Sequence, residues 1–372
     1  MIEIREVKTR KELKEFIYLP EKIHRNHKNW VPPIYSDEFD FFNPKKNKSF
    51  GYSDTVLYLA YKDGIPAGRI MGIIQKRYNS MHNEKHARFS FVETYDDYEV
   101  FEKLVNTVEH WAKDKGCDTV VGPLGFSDKD PQGFMVEGFD EPIVISSNAN
   151  FPYMNEFVER KGYTKKVDLV VYKVPVPDNM PELYQSIYER VMERNHIHAV
   201  EFTTRRALKP WIKPILTLLN ETFKEIYAFS PFEDYEMEEF ANRYIYLLDP
   251  RFIKVVTDRK NEPIAFIIAM PCISDGVIKA KGKLFPFGFL KILYHQRKTK
   301  QLTLLLGGIK EEYRGKGLDV VLGKLLLDSA KERGFDYMDS HLELETNTRV
   351  RREMERMGGQ VYKRYRIYRK AL

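Results

Sequence analysis

The passage Glu311-Glu-Tyr-Arg-Gly-Lys-Gly-Leu-Asp319 stands between a strand-like run, residues 302–308, and a helix-like run, residues 318–333. Glycines at 315 and 317, placed where a strand hands over to a helix, allow successive backbone N–H groups to converge. The helix start adds a positive partial charge, so Arg314-Gly-Lys-Gly317 is a candidate cradle for a pyrophosphate. On spacing alone, a basic turn that merely opens a helix reads equally well. Other reactive types are less organised. His82-x-x-x-His86 has helical metal spacing and His196-x-His198 strand spacing, but neither has a third ligand nearby, so no metal is expected. There is no Gly-x-Ser-x-Gly elbow and no Walker loop, which argues against a serine hydrolase and a P-loop nucleotidase.

The elements that must position the cradle form an α/β pattern that occurs twice. In the first half, residues 56–61 and 65–74 read as strands about the Asp63-Gly64 turn. A strand at 89–94 follows, then a helix at 98–115 with Phe101, Leu104, Val105, Val108 and Trp111 on one face and Gly116 as its stop. A strand at 117–122, a loop at 123–140, a helix at 153–161 and a strand at 166–174 complete that half. The second half repeats the order: strands at 252–257, 264–270 and 302–308, a strongly amphipathic helix at 318–333, a strand at 337–344, a helix at 348–357 and a strand at 360–369. Glu159-Arg-Lys-Gly162 echoes Glu355-Arg-Met-Gly358. So long a period implies a duplicated domain. Three prolines between Pro175 and Pro181 mark a linker, giving domains 1–177 and 178–372.

Composition narrows the setting. The 372 residues carry 60 basic and 54 acidic side chains, a net charge of +6, too mild a balance to call for nucleic acid. Two cysteines, Cys117 and Cys272, exclude a disulfide framework and a four-cysteine zinc site. The charged start MIEIREVKTRKELKEF has no apolar stretch of a secretory signal, and no run approaches the roughly 18 apolar residues of a spanning helix. A soluble, cytoplasmic protein is expected; oligomeric state is left open.

The 311–319 passage resembles the Arg/Gln-x-x-Gly-x-Gly/Ala loop of the GCN5-related N-acetyltransferase (GNAT) superfamily. Gly122-Pro-Leu-Gly125, Gly133-Phe-Met-Val-Glu-Gly-Phe-Asp140 and Asn150-Phe-Pro-Tyr-Met154 resemble a group of bacterial proteins with two such domains in tandem. The resemblance spans nearly the whole chain. It implies an α/β class with a mixed sheet: two GNAT (acyl-CoA N-acyltransferase) folds in tandem. It also implies acetyl-CoA, or another acyl-CoA, as cofactor. The amides of Arg314, Gly315, Lys316, Gly317 and Leu318 would hold its pyrophosphate. Strands 302–308 and 337–344 would splay around the pantetheine arm, with Leu305 and Gly307 beside it and amides near Leu305 polarising the thioester carbonyl. Asn347 would stand near the reaction centre; as an N-cap for the next helix it reads equally well.

The chain departs from the superfamily in three places. Asp319 replaces the usual Gly or Ala, and a carboxylate in a first helical turn competes with a bound anion. Met354 stands where many members have a proton-donating tyrosine, leaving Tyr362 and Tyr365 as substitutes. In the first half, Tyr95-Asp-Asp-Tyr-Glu99 has no glycine and three acids, so that domain is a degenerate copy lacking the pyrophosphate loop. Acyl transfer to an amine needs a base. Glu343 and Glu345 flank the splay, and Glu233 and Asp234 lie in a segment that often walls the acceptor; Glu343 is preferred.

Residues 277–300 form an addition with Lys279, Lys281, Lys283, Lys291, Arg297, Lys298 and Lys300, interleaved with Phe285, Phe287, Phe289 and Leu290, and no acid. Ordinary packing with lysines in water is the plain reading; a lid or acceptor wall is the functional one, and a membrane surface or nucleic acid is another. The leading function is acyl-CoA-dependent N-acyl transfer to a small-molecule amine or peptide in the C-terminal domain. The alternatives are a GNAT fold that only binds CoA or a partner, and a tRNA-dependent aminoacyltransferase.

Overall fold

A computed structural model describes residues 1–145, 147–194, 197–238, 245 and 248–372. Asp63 and Gly64 both take positive φ, 51° and 81°, which gives a two-residue turn whose twist suits a hairpin. That hairpin joins β2 (Ser53–Lys62) to β3 (Ile65–Gln75), after the edge strand β1 (Ile2–Glu6). The first half continues with β4 (His86–Thr94), β5 (Thr119–Gly122), β6 (Phe134–Glu137) and β7 (Thr164–Pro175). The second half supplies β8 (His198–Glu201), β9 (Ile253–Thr257), β10 (Pro263–Pro271), β11 (Gln301–Ile309), β12 (Tyr337–Asp339), β13 (Glu343–Leu344) and β14 (Gln360–Ala371).

All fourteen belong to one mixed sheet, ordered β1-β2-β3-β4-β5-β14-β7-β12-β11-β10-β9-β8, with β6 on β14 and β13 on β7. The two long terminal strands of the halves have changed places. β14 lies between β5 and β7, and β7 lies between β14 and β12. Each core accordingly contains the other half's strand. Tyr368 of β14 packs with Phe89, Phe101, Val120 and Phe157 of the first half. Val170, Tyr172 and Val174 of β7 pack with Leu302, Leu326 and Met338 of the second. The seam also carries polar contacts, among them Arg366, which donates to both Asp168 oxygens at 2.8 and 3.1 Å.

The glycine-led helix spans Leu318–Arg333 and ends at Gly334 in the left-handed region, as its sequence predicts. It is not amphipathic, however. Leu318, Val320, Val321, Leu322, Leu325, Leu326 and Leu327 are all buried, because the helix Glu182–Arg194 packs Val191 onto its outer side. The strand expected at 337–344 is broken as well: β12 ends at Asp339, His341 takes φ 56°, and β13 is a separate two-residue pairing with β7. The 277–300 addition folds into two helices, Ser274–Ala280 and Gly288–Lys298.

Because Tyr368 belongs to the first half's core, Tyr368→Ala is expected to cost about 3–5 kcal/mol, and the intact chain to unfold in a single transition. Calorimetry and urea titration check both; two separate transitions, with only the second-half one shifted by the substitution, would contradict the shared-core reading.

Candidate active site

β11 and β12 run parallel only from Gln301/Tyr337 to Thr303/Asp339, after which the two strands part. β11 continues along β10 with a bulge: Ala269 pairs with Leu304 and Ile268 with Leu306, so Leu305 is the extra, unmatched residue. The splay expected around Leu305 therefore exists, and it begins two residues before it. Asp339 sits at the fork with both oxygens occupied. One accepts from His341 N at 2.8 Å; the other accepts from Lys363 Nζ at 3.0 Å and from the Tyr362 hydroxyl. Lys363 and Asp339 are a closed ion pair, with side chains 2% and 1% exposed, and Lys363 donates also to the Pro142 carbonyl. A pair so buried fixes geometry, since loss of either partner strands a charge.

The fork opens into a cavity of about 1670 Å³, well above the roughly 300–1,000 Å³ of an ordinary small-ligand pocket. Leu305 and Gly307 line it, and so does the helix face formed by Asp319, Leu322, Gly323 and Leu326. Arg314 and Gly315 close one end. Gly315 and Gly317 both take positive φ, 73° and 85°, and Arg314 holds the loop by donating Nε–H to the Ile309 carbonyl at 3.1 Å. Lys316, Gly317 and Leu318 of the expected cradle are not part of the cavity wall. Leu318 is core, and a side chain at Gly317 would meet Val191 at 2.8 Å. Lys316 lies off the cavity wall, its ammonium 5.1 Å from the Tyr313 ring.

The four candidate bases separate cleanly. Glu233 pairs with Arg77 at 2.8 Å and Asp234 with Lys213 at 2.9 Å. Glu345 accepts from Lys165 and from Asp168 N, at 2.8 and 3.0 Å. Glu343 alone lines the cavity, and among the described residues its carboxyl has no hydrogen-bond or ion-pair partner. Burial pushes its carboxyl up to about 8. Asn347 also lines the cavity, yet its side chain caps the helix Thr348–Arg356 by accepting from Val350 N. Tyr362, bound to Asp339, and Tyr365, fully buried, are both off the cavity wall, so neither reaches a leaving group there. Met354 does line it, which leaves this wall without a proton donor at that place. His82 and His86 engage the Tyr78 carbonyl and Glu84, and His196 lies outside the described residues.

The first half has a matching fork that is filled from within. β4 and β5 pair in parallel only from His86/Thr119 to Arg88/Val121. Beyond it, Leu124 N donates to the Phe89 carbonyl, and Arg88 donates to the carbonyls of Gly125 and Phe126. Asp97 caps the helix Tyr98–Asp114 by accepting from Val100 N and pairs with Lys62, which places a carboxylate at that helix start. This half nevertheless contributes to the shared cavity. Glu93 lines it, linked to His24 Nε2 at 2.5 Å and to Arg69 at 2.9 Å. Burial pushes Glu93 up, but its contacts with His24 and Arg69 outweigh it and hold the carboxyl below its ordinary value. Glu38 also lines the cavity, raised by burial to about 7. Sequence reasoning missed these groups; the signal was Arg69 as a charge inside an otherwise apolar strand, opposite Glu93 in register.

The overall fold recurs in solved structures. A tandem GNAT protein from the clavulanic acid biosynthesis pathway superposes with TM-score 0.57 over 100% of this chain and 98% of its own, at 10% identity. A GCN5-related N-acetyltransferase from Sphaerobacter thermophilus gives TM-score 0.53 over 100% and 95%, at 13% identity. The chain is a tandem GNAT fold. No protein-family model matches the sequence. Two curated relatives align along almost the whole tandem GNAT: the bacterial ceramide synthase of Caulobacter vibrioides, 28% identical over 98% of this chain and 96% of its own, and protein YghO of Escherichia coli, 25% identical over 99% and 95%. Among the described residues no helix is long and apolar enough to cross a membrane, and no cluster of three metal-binding side chains occurs.

Glu343 has a stability signature. Its pKa is higher folded than unfolded, so the folded state binds the extra proton between about pH 4.5 and 8. Stability is therefore lost as pH rises through that window, and is flat above it. Glu343→Gln should remove this slope, raising stability by about 2–4 kcal/mol at pH 8.5 relative to wild type while changing it little at pH 4. Urea midpoints across the range measure it; parallel curves for the two proteins would disprove the buried, unpaired carboxyl.

Proposed function

We propose that this tandem GNAT protein transfers an acyl group from acyl-CoA to the amine of a long-chain base, in the cavity entered from the β11–β12 fork. The observation that carries the reading is the isolated carboxyl of Glu343 on the wall of a large cavity, beside a fork whose bulged residue, Leu305, has left the ladder. The volume suits an aliphatic chain better than an acetyl group alone. The relative named bacterial ceramide synthase supports the acceptor class, since a ceramide is the amide of a long-chain base and a fatty acid.

Acyl-CoA supplies the thioester. The free amide edge at Leu305 suits the pantetheine arm, and Arg314 with Gly315 suits the phosphates; Asp319 opposes them, being a carboxylate on the same wall in the first helical turn. Glu343, once ionised, takes a proton from the acceptor ammonium and frees its lone pair. The amine nitrogen bonds to the carbonyl carbon, the carbon–sulfur bond breaks, and the second amine proton goes to the departing sulfur. One proton leaves Glu343 for solvent, which completes the balance.

With palmitoyl-CoA and a long-chain base, thiol release should be matched by amide on mass spectrometry. The logarithm of kcat/KM should climb with unit slope to a plateau near pH 8, set by Glu343. Glu343→Gln should lower kcat by roughly 10²–10⁴ and abolish that limb. A pH profile unchanged by the substitution would remove Glu343 from the role, and absence of amide with every chain length would leave a binding protein. Separately, Asp319→Asn should tighten CoA by about 3–10-fold in calorimetry. Tightening cannot arise from damage to the fold, so an unchanged affinity would place the phosphates elsewhere.

A further inference from the structure

The 277–300 addition is not a wall of the cavity. None of its residues lines it. Its inner side, Val277, Ala280 and Ile292, packs on Ile34, Met270 and Ile273, and those three do line the cavity. The Gly282 carbonyl accepts from Tyr35 N at 3.0 Å, and a side chain at Gly282 would strike the Pro33 carbonyl. The addition is thus a fixed platform spanning both halves, one layer of side chains from the cavity.

Its outer side is what a water-facing surface rarely shows. Phe285 is 86% exposed, Phe287 66%, Leu290 61% and Tyr294 54%, with Ile278 and Phe289 beside them in sequence. Among the described residues, six of the twelve exposed large hydrophobic residues fall within these seventeen positions, so the feature is a cluster and not scatter. Lys279, Lys281, Lys283, Lys291, Arg297, Lys298 and Lys300 are all exposed. Among the described residues only Lys300 has an ion-pair partner, Asp336 at 3.8 Å. Aromatic rings standing in water within a field of uncompensated ammonium groups match the interface of an anionic bilayer, where rings enter the headgroup layer and cations meet phosphate. A nucleic acid would satisfy the cations alone. Protruding Phe285 and Phe287 flank a turn between two helices; they form no concave groove for bases.

We propose that this platform docks the protein on an anionic membrane surface, so that the cavity lies against the lipid from which a long-chain substrate is drawn. The docking rests on the surface itself; the role in substrate delivery rests on the function proposed above. The test is sedimentation of the full chain with phosphatidylcholine vesicles, with and without about 30 mol % phosphatidylglycerol. Binding is expected only to the anionic vesicles and should weaken with salt. A variant with Phe285→Ser, Phe287→Ser and Leu290→Ser should bind at least tenfold more weakly. A second, with Lys279→Gln, Lys281→Gln, Lys283→Gln and Lys291→Gln, should lose the salt dependence. Both variants change exposed positions only, and circular dichroism checks their fold. Equal binding to neutral vesicles, binding unaffected by both variants, or preferential binding to a DNA or RNA duplex would overturn the proposal. Activity separates the two readings. Docking-defective variants should keep turnover of a detergent-dispersed base and lose turnover of one embedded in vesicles. Vesicle binding without turnover in either format would retire the acyl-transfer function and leave the docking intact.

Discussion

Everything in this molecule depends on two strands being in the wrong half. β7 and β14 are each the last strand of their own repeat, and each is built into the other's core. Ladder hydrogen bonds, the Tyr368 and Tyr172 side chains and the Asp168–Arg366 pair join the halves through backbone and core together. The second fork inherits its position from this exchange. Asp339 anchors the base of that fork by binding Lys363 and Tyr362, which are residues of β14, while β12 itself pairs with β7 of the other half. A cavity walled by both repeats is then a consequence of topology.

The duplication has been used asymmetrically. Both repeats retain a parallel pair that parts after three residues, and both have a register shift in the strand beside it. In the first, local backbone and Arg88 occupy the opening, and Asp97 satisfies the helix start. In the second, the opening stays free and glycines precede the helix. The first repeat has kept a different asset, a Glu93 carboxylate held ionised between His24 and Arg69 on the shared wall. Glu343 and Glu93 thus present two carboxyls to one cavity with opposite perturbation, the first raised by burial alone and the second lowered by its contacts with His24 and Arg69. A substrate with both a reactive amine and further polar groups would meet them as distinct environments.

Local signals carried much of this into the sequence. Gly116, Gly162, Gly334 and Gly358 all stop helices in the left-handed conformation, and the Asp63-Gly64 turn fixes a hairpin register. Those are properties of a few neighbouring residues, so a linear reading finds them. The exchange of β7 and β14 is not such a property. A strand's alternation says which face is buried and not whose sheet buries it. The same limit explains the helix Leu318–Arg333, whose outer face looked solvated until the helix Glu182–Arg194 was placed over it. It also explains why Lys316, Gly317 and Leu318 joined the expected cradle: motif membership is sequential, and exposure to a cavity is not.

Glu343 is the instructive case among site residues. Its type and its place next to an expected splay singled it out, but Glu345 had the same credentials. What separates them is a two-residue strand, β13, that forms only because β7 from the other half is there to pair with it. Pairing at Val170 and Leu169 turns Glu345 toward Lys165 and the Asp168 amide, and leaves Glu343 on the cavity wall. A carboxyl without partners in a cavity of this character is expensive to ionise, and folding alone gives no return for that cost. The structure keeps it isolated while pairing Glu345, Asp339 and Glu93, which is the arrangement expected of a group whose partner arrives with the substrate.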